Sequence, residues 1–254
     1  MNCNLTIPTS PFKLFLKSIS KINTSIIITV KDYKMEVLTA SDGGSIILLS
    51  TLDLPQIPEN DVSVTLPFID ITKLTKLAQF ATDDTFVLKV EDNVIKFDGK
   101  NVNLKLHLAE QSIITVPPQV TAEKFRSFPI TFTTAVSSEA LSQIIKGTEF
   151  IKSASGDVKV YFYLEDSKLY GELTDYTSRA SDSFKVLLSE EVSGNLTGRV
   201  PIKFDNWTLL DLKNGTIRFE ISEVSRKTLK ANILFIRQIS DYVETSYLIQ
   251  PLKD

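Results

Sequence analysis

Phe12, Phe15, Leu16, Ile19 and Ile22 fall at i, i+3, i+4, i+7 and i+10, a single apolar stripe of helical period. They predict a helix over 10–22, with Ser10 as its cap and Pro11 at the first helical position. Lys13, Lys17 and Lys21 recur every four residues, almost opposite the stripe. A second helix is predicted over 70–81, capped by Asp70. Ile71, Leu74, Leu77, Ala78 and Ala81 form its stripe, and Lys73 and Lys76 lie away from it. A third spans 137–152, with Leu141, Ile144, Ile145 and Thr148 inward, Lys146 outward and Lys152 near the apolar edge. A shorter fourth covers 203–213, with Lys203 and Lys213 at its ends but Asp205 and Asp211 within it.

Between the helices the pattern changes to period two. "TSIIITV", "KMEVLTA", "SIILLSTLDL", "TFVLKVEDNVIKFDG" and "NVNLKLHL" are rich in β-branched residues and broken by Asp, Asn and Gly. The texture returns in "DVKVYFYLEDSKLYGELT", "SFKVLL", "TIRFEIS", "LKANILFI" and "YVETSYLI". "VEDN" and "EDSK" read as hairpin turns. The order helix, strands, helix, strands occurs twice, so the chain carries an internal repeat. The copies are joined by 109–128, which contains Pro117-Pro118 and lacks periodicity, as an extended connector would. The expected domains are 1–108 and 129–254, with the connector between them. The fold class is α+β, two similar domains with helices covering antiparallel sheets.

Charge sharpens this picture. The 254 residues include 28 Lys plus Arg against 31 Asp plus Glu, a net charge of −3. A uniformly basic nucleic-acid binder is excluded, yet lysines gather on the outer sides of helices. Acidic residues gather in strands and turns, among them Asp53, Glu91, Asp92, Glu165, Asp166, Glu190 and Glu191. Positive helix faces without base-reading loops or aromatic platforms suit the phosphate backbone of a duplex, read without regard to sequence.

The residue inventory limits other chemistry. One His and one Cys, His107 and Cys3, cannot build a Cys/His zinc site or an intramolecular disulfide. His107 lies in an alternating strand, on its polar face. No G-x-S-x-G element is present. "SDG" at 41–43 and "TDD" at 82–84 are the acidic clusters that could serve a metal-dependent hydrolase, and both read as turns. No cofactor is expected. The N-terminus lacks the charge and apolar run of a signal peptide. No stretch approaches the roughly 18 apolar residues of a membrane span. The expectation is a non-enzymatic protein of the cytoplasm that does not enter a membrane.

The helix "PFKLFLKSISKI", the segment "MEVLTASDGGSIILLS", the connector 109–128 and the C-terminus "SYLIQPLKD" resemble the DNA polymerase sliding clamps of the proliferating-cell-nuclear-antigen and T4-type phage group. The resemblance covers the whole chain and implies a homotrimeric ring around double-stranded DNA. Such a ring holds DNA polymerase as a processivity factor and has a clamp loader as a further partner. In a phage it would work in the host cytoplasm. Lys13, Lys17, Lys21, Lys73, Lys76, Lys146, Lys152, Lys203 and Lys213 would then face the duplex. Edge strands would join neighbouring subunits through Val102, Leu104 and Leu106 on one side and Phe184, Val186 and Leu188 on the other. Partner peptides would enter an apolar pocket of Ile46, Leu48, Ile113, Ile114, Val116, Tyr247, Leu248, Ile249 and Pro251. The alternative is a monomeric DNA-binding polymerase accessory protein of the same fold. The sequence pI of about 5.4 disfavours it, because a binder that does not encircle DNA needs stronger electrostatics.

Overall fold

The computed structural model describes residues 2–55, 63–114, 120–151, 159–174, 182–203, 210, 212–213, 215–226 and 229–251. Two compact units emerge. One comprises Met1–Arg126 with Asp241–Thr245, the other Ser127–Ser240 with Ser246–Asp254.

In the first unit β1 (Asn2–Pro8) leads into α1 (Thr9–Ser20), then β2 (Ile26–Lys31), β3 (Lys34–Ala40), β4 (Ile46–Asp53) and β5 (Val64–Phe68). α2 (Thr72–Gln79) and β6 (Thr85–Glu91), β7 (Val94–Asp98) and β8 (Asn103–His107) complete it. The strands pair in the orders β1-β6-β7-β8 and β4-β3-β2-β5, all antiparallel. A 3-10 turn (Gln111–Ile113) and α3 (Ala122–Arg126) follow.

The second unit repeats the scheme. β9 (Phe132–Val136) precedes α4 (Ser138–Phe150), then β10 (Lys159–Glu165), β11 (Lys168–Thr174), β12 (Ser183–Ser189), the two-residue β13 (Ser193–Gly194) and β14 (Val200–Lys203). β15 (Thr216–Arg226), β16 (Leu229–Ile239) and β17 (Val243–Ile249) close it. The pairing orders are β9-β15-β16-β17 and β12-β11-β10-β14. Strand for strand, β1, β6, β7 and β8 correspond to β9, β15, β16 and β17, and β4-β3-β2-β5 to β12-β11-β10-β14. The internal repeat is therefore one of topology, preserved where residue identity is not.

Helix placement follows from aromatic packing. Phe12 and Phe15 are fully buried, 6.3 Å apart between ring centres, and Phe12 meets Phe86 of β6 at 5.6 Å. Phe86 in turn meets Phe97 of β7 edge-on at 5.7 Å. The predicted stripe of α1 is what seats it on its sheets. Two hairpins turn through left-handed pairs, Asp32–Tyr33 and Asp166–Ser167, which match the strand twist.

Several boundaries differ from expectation. α1 begins at Thr9, not Ser10. The Thr9 N–H donates to the Asp84 carbonyl at 2.8 Å and its hydroxyl to the Asp83 carbonyl at 2.5 Å. Tertiary carbonyls therefore do the work of a local cap, and Pro11 sits within the first turn, where no N–H is needed. "TDD" is thus an anchoring turn. "SDG" is another: Ser41 Oγ accepts the Ile46 N–H at 3.1 Å, and its carbonyl accepts the Gly44 N–H. β1 and β9, which open the units, escaped the period-two reading because β1 is half polar and β9 follows a proline. The connector is not featureless. Through Arg126 it clusters with the first unit, because the Ala109 N–H donates to the Pro67 carbonyl and Arg126 pairs with Glu36. Most of the fourth predicted helix lies outside the described residues. Its first residue, Lys203, ends β14 opposite Lys159, and Lys213 lies in a turn.

Candidate nucleic-acid interface

α1 and α2 pack against each other in the first unit. Each buries one side: Phe12, Phe15, Leu16 and Ile19 on α1, Leu74, Leu77 and Ala78 on α2. Neither helix contains an acidic residue. Lys17, Lys21, Lys73 and Lys76 are exposed on the remaining surface. Lys17 and Lys76 sit in last turns, where a cation also opposes the partial negative charge of the helix end. Asp70 caps α2, accepting the Thr72 N–H at 3.0 Å and its hydroxyl at 2.5 Å. These bonds hold its carboxyl below the usual range, with a smaller pull from Lys73 and Lys76.

Lys13 departs from its predicted role. It is half-buried, and its Nζ donates to the Ala81 carbonyl just past α2 at 3.1 Å. Its charge ties α1 to the negative end of α2 instead of standing free on the helix face.

Several strand cations meet carboxylates. Lys89 pairs with Asp98 at 2.8 Å, Lys168 with Glu190 at 2.6 Å and Lys185 with Glu165 at 2.7 Å. Lys96 pairs with Glu91 and Arg199 with Glu172. The Lys168–Glu190 bond raises the ammonium and lowers the carboxyl relative to their ordinary values. These strand pairs neutralise charge locally on the sheets, and on α1 and α2 the charged side chains within the helices are lysines.

α4 does not follow the basic pattern. Ser137 caps it, accepting the Ala140 N–H at 3.1 Å. Leu141 and Ile144 are buried as predicted, with Ala140 and Gly147, while Ile145 and Thr148 are only half-buried. Its exposed side carries Lys146 together with Glu139, Gln143, Glu149 and Phe150. The two carboxylates were visible in the sequence, but counting lysines alone missed them. Lys152 lies outside the described residues. Lys203 and Lys213 are exposed on a strand end and a turn.

β8 and β12 each pair on one side only, so both are sheet edges as expected. Their side chains are less uniform. Leu104 and Leu106 are half-buried on β8, and Val102 precedes the strand. Val186 and Leu188 point into the second unit at 5% and 4% exposure, so they are core. What β12 offers outward is main chain, Leu187 and half-buried Phe184, on which the 64%-exposed Phe150 rests at 6.2 Å.

The pocket residues are mostly interior. Ile46, Leu48, Ile114, Tyr247, Leu248 and Ile249 are buried. Ile113 is exposed, Pro251 is half-exposed and Val116 lies outside the described residues. A charge at Ile249, with no exposed surface, would therefore unfold its surroundings before it tested peptide binding.

Two units of one topology, each with a helix laid on antiparallel sheets, define a duplicated clamp fold. Solved structures similar to it include proliferating cell nuclear antigens. The A. fulgidus protein, solved with the C-terminal region of FEN-1 bound, superposes with a TM-score of 0.74 at 12% identity, covering 99% of both chains. The Entamoeba histolytica protein gives 0.73 at 12% identity, again over 99% of both. The Thermococcus kodakaraensis protein gives 0.73 at 15% identity, over 98% of this chain and all of the other. At these identities the likeness is one of fold. No family model and no curated protein matches the sequence.

Proposed function

We propose that the chain is a non-enzymatic sliding clamp. Copies join head to tail into a three-membered ring around duplex DNA, and the ring tethers DNA polymerase after a clamp loader has closed it. The observation that carries this reading is the lysine bias of α1 and α2, two helices whose own spans contain no acid, set in a fold shared with proliferating cell nuclear antigens. Lysines of this kind attract phosphate without reading bases. An otherwise acidic body keeps affinity low, so that retention comes from enclosure.

The repeat supports closure. Asp241–Thr245, which cluster with the first unit and include the first residues of β17, cover the edge of β4: Asp53 N–H donates to the Tyr242 carbonyl at 2.9 Å, and Ser50 and Thr245 share a hydroxyl bond at 2.8 Å. The counterparts of β4 and β17 are β12 and β8, and both edges are open. A second copy's β8 laid on β12 repeats a pairing the chain already makes, and removes two edges that would otherwise recruit stray strands. It would also cover Leu187 on β12 and Phe150, whose ring meets Phe184 of β12. The A. fulgidus structure holds a bound C-terminal region of FEN-1, which favours partner tails as the ligands of this chain too.

Light scattering across a dilution series tests the assembly, with three 28.4 kDa copies expected. Retention on circular DNA that is lost on linearisation tests enclosure. A single-copy mass with equal retention on both DNA forms would instead establish the monomeric accessory protein.

A further inference from the structure

β12 is an edge strand with a lysine, Lys185, at its centre. A lysine on an exposed edge is a common device against strand addition, because its charge would be trapped beside the incoming strand. Yet this is the edge proposed to receive β8 of the next copy. Resting on that assembly reading, we infer that the chain opens β12 to a second copy by drawing Lys185 back over its own sheet, onto Tyr170, Tyr163 and Glu165.

The Lys185 ammonium lies 4.1 Å from the centre of the Tyr170 ring and 5.5 Å from that of Tyr163, and donates to Glu165 at 2.7 Å. The strand order is β12-β11-β10-β14, so Tyr170 stands one strand in from the edge, and Tyr163 and Glu165 two strands in. Neighbouring strands lie about 4.8 Å apart. Contacts on the second strand therefore carry the ammonium away from the free edge. The two rings stack with centres 6.1 Å apart and offer a cation their faces. The catch is itself braced. Tyr163 is buried and donates its hydroxyl to Glu172 at 3.0 Å. Arg199 donates to the same carboxylate at 3.0 Å, and its guanidinium lies 4.2 Å from the centre of the Tyr163 ring. Glu165 faces Lys168 in the hairpin, and Lys168 pairs with Glu190.

The incoming strand brings no carboxylate for Lys185. β8 holds Lys105 and His107, both exposed, and no acid. The nearest acids along its chain are Asp98, which pairs with Lys89, and Glu110. β12 has no acid within its own span either. Asp182, just before it, has the opposite parity to Lys185 and so belongs to the other face. A free Lys185 ammonium at the edge would meet a strand bearing Lys105, and like charges across a ladder destabilise it. Held back, Lys185 is matched by Glu165 within its own unit, and the edge presents main chain and Leu187.

Sedimentation across a dilution series, at low and at high salt, tests this. Glu165→Gln with Tyr170→Leu frees the ammonium and raises the dissociation constant of the assembly roughly threefold per junction at low salt. High salt shrinks that difference, because it screens like charges. Lys185→Met assembles at least as tightly as wild type, and added to the Gln/Leu pair it restores wild-type assembly. If the pair melts below wild type, Glu165→Gln alone carries the same comparison with a smaller shift. The inference is overturned if Lys185→Met weakens assembly as much as the pair does, or fails to restore it, since the network would then only brace the sheet. Wild-type protein that stays a single copy at every concentration would overturn the assembly reading, and this inference with it.

Discussion

Gly147 decides how closely α4 approaches β12, and Gly147→Ala tests that approach. A Cβ built at Gly147 would lie 2.3 Å from Cδ1 and 2.6 Å from Cε1 of Phe184, and 2.8 Å from Cδ1 of Leu173. Carbon atoms pack at about 3.5–4.0 Å, so the helix and strand must part by more than an ångström, or the Phe184 ring must leave its place. Alanine gains up to about 1 kcal/mol in helix propensity over glycine. Overpacking a tight core site costs roughly 1–3 kcal/mol or more. With backbone on one side and an aromatic ring on the other, the steric term wins, and a net loss of about 1–2 kcal/mol is expected. For a chain of this size that lowers the melting temperature by roughly 2–8 °C. Calorimetry reads the loss in the second unit's transition. Because Phe184 belongs to the β12 edge, the assembly should also dissociate at higher protein concentration than wild type. Phe184→Leu in the Gly147→Ala background should recover part of the stability. Gly147→Ala protein as stable as wild type would refute the close α4–β12 packing and the linkage to the edge.

Other outcomes follow from single contacts. Ser137→Ala removes the α4 cap and should cost about 1 kcal/mol in chemical denaturation. Lys13→Met should lower the first unit's melting temperature, whereas Lys76→Met should leave it nearly unchanged and weaken duplex binding. Equal thermal effects would return Lys13 to the free helix face. The depressed Asp70 carboxyl adds stability that is fully present above its ordinary value of 3.8 and fades as pH falls through its lower folded value. Acid titration of Asp70→Asn should lack that component, and an unchanged acid profile would show that the Thr72 bonds do not bias the ionised form.

Much of the architecture was readable from period alone. The α1 stripe, the hairpin at 159–174 and the strand at 34–40 were found because each buries one side, and burial imposes a spacing that survives without any partner in view. The duplication was readable for the same reason. Starts and ends were less so. Thr9 begins α1 because Asp83 and Asp84, more than 70 residues away, supply the acceptors, and no local pattern contains them. The edge strands were located correctly, but which of their side chains face outward depends on the sheet's other side. Val186 and Leu188 therefore looked like contact residues and are core.

By itself the sequence determined the element types, the two-fold repeat and the lysine bias of α1 and α2, since all three are properties of neighbours a few residues apart. Only the tertiary structure decided that Lys13 binds the end of α2, that strand lysines meet carboxylates and that α4 turns glutamates outward. Those outcomes depend on which charges lie near one another in space. Electrostatic attraction is set by that distance and by burial, and chain separation encodes neither.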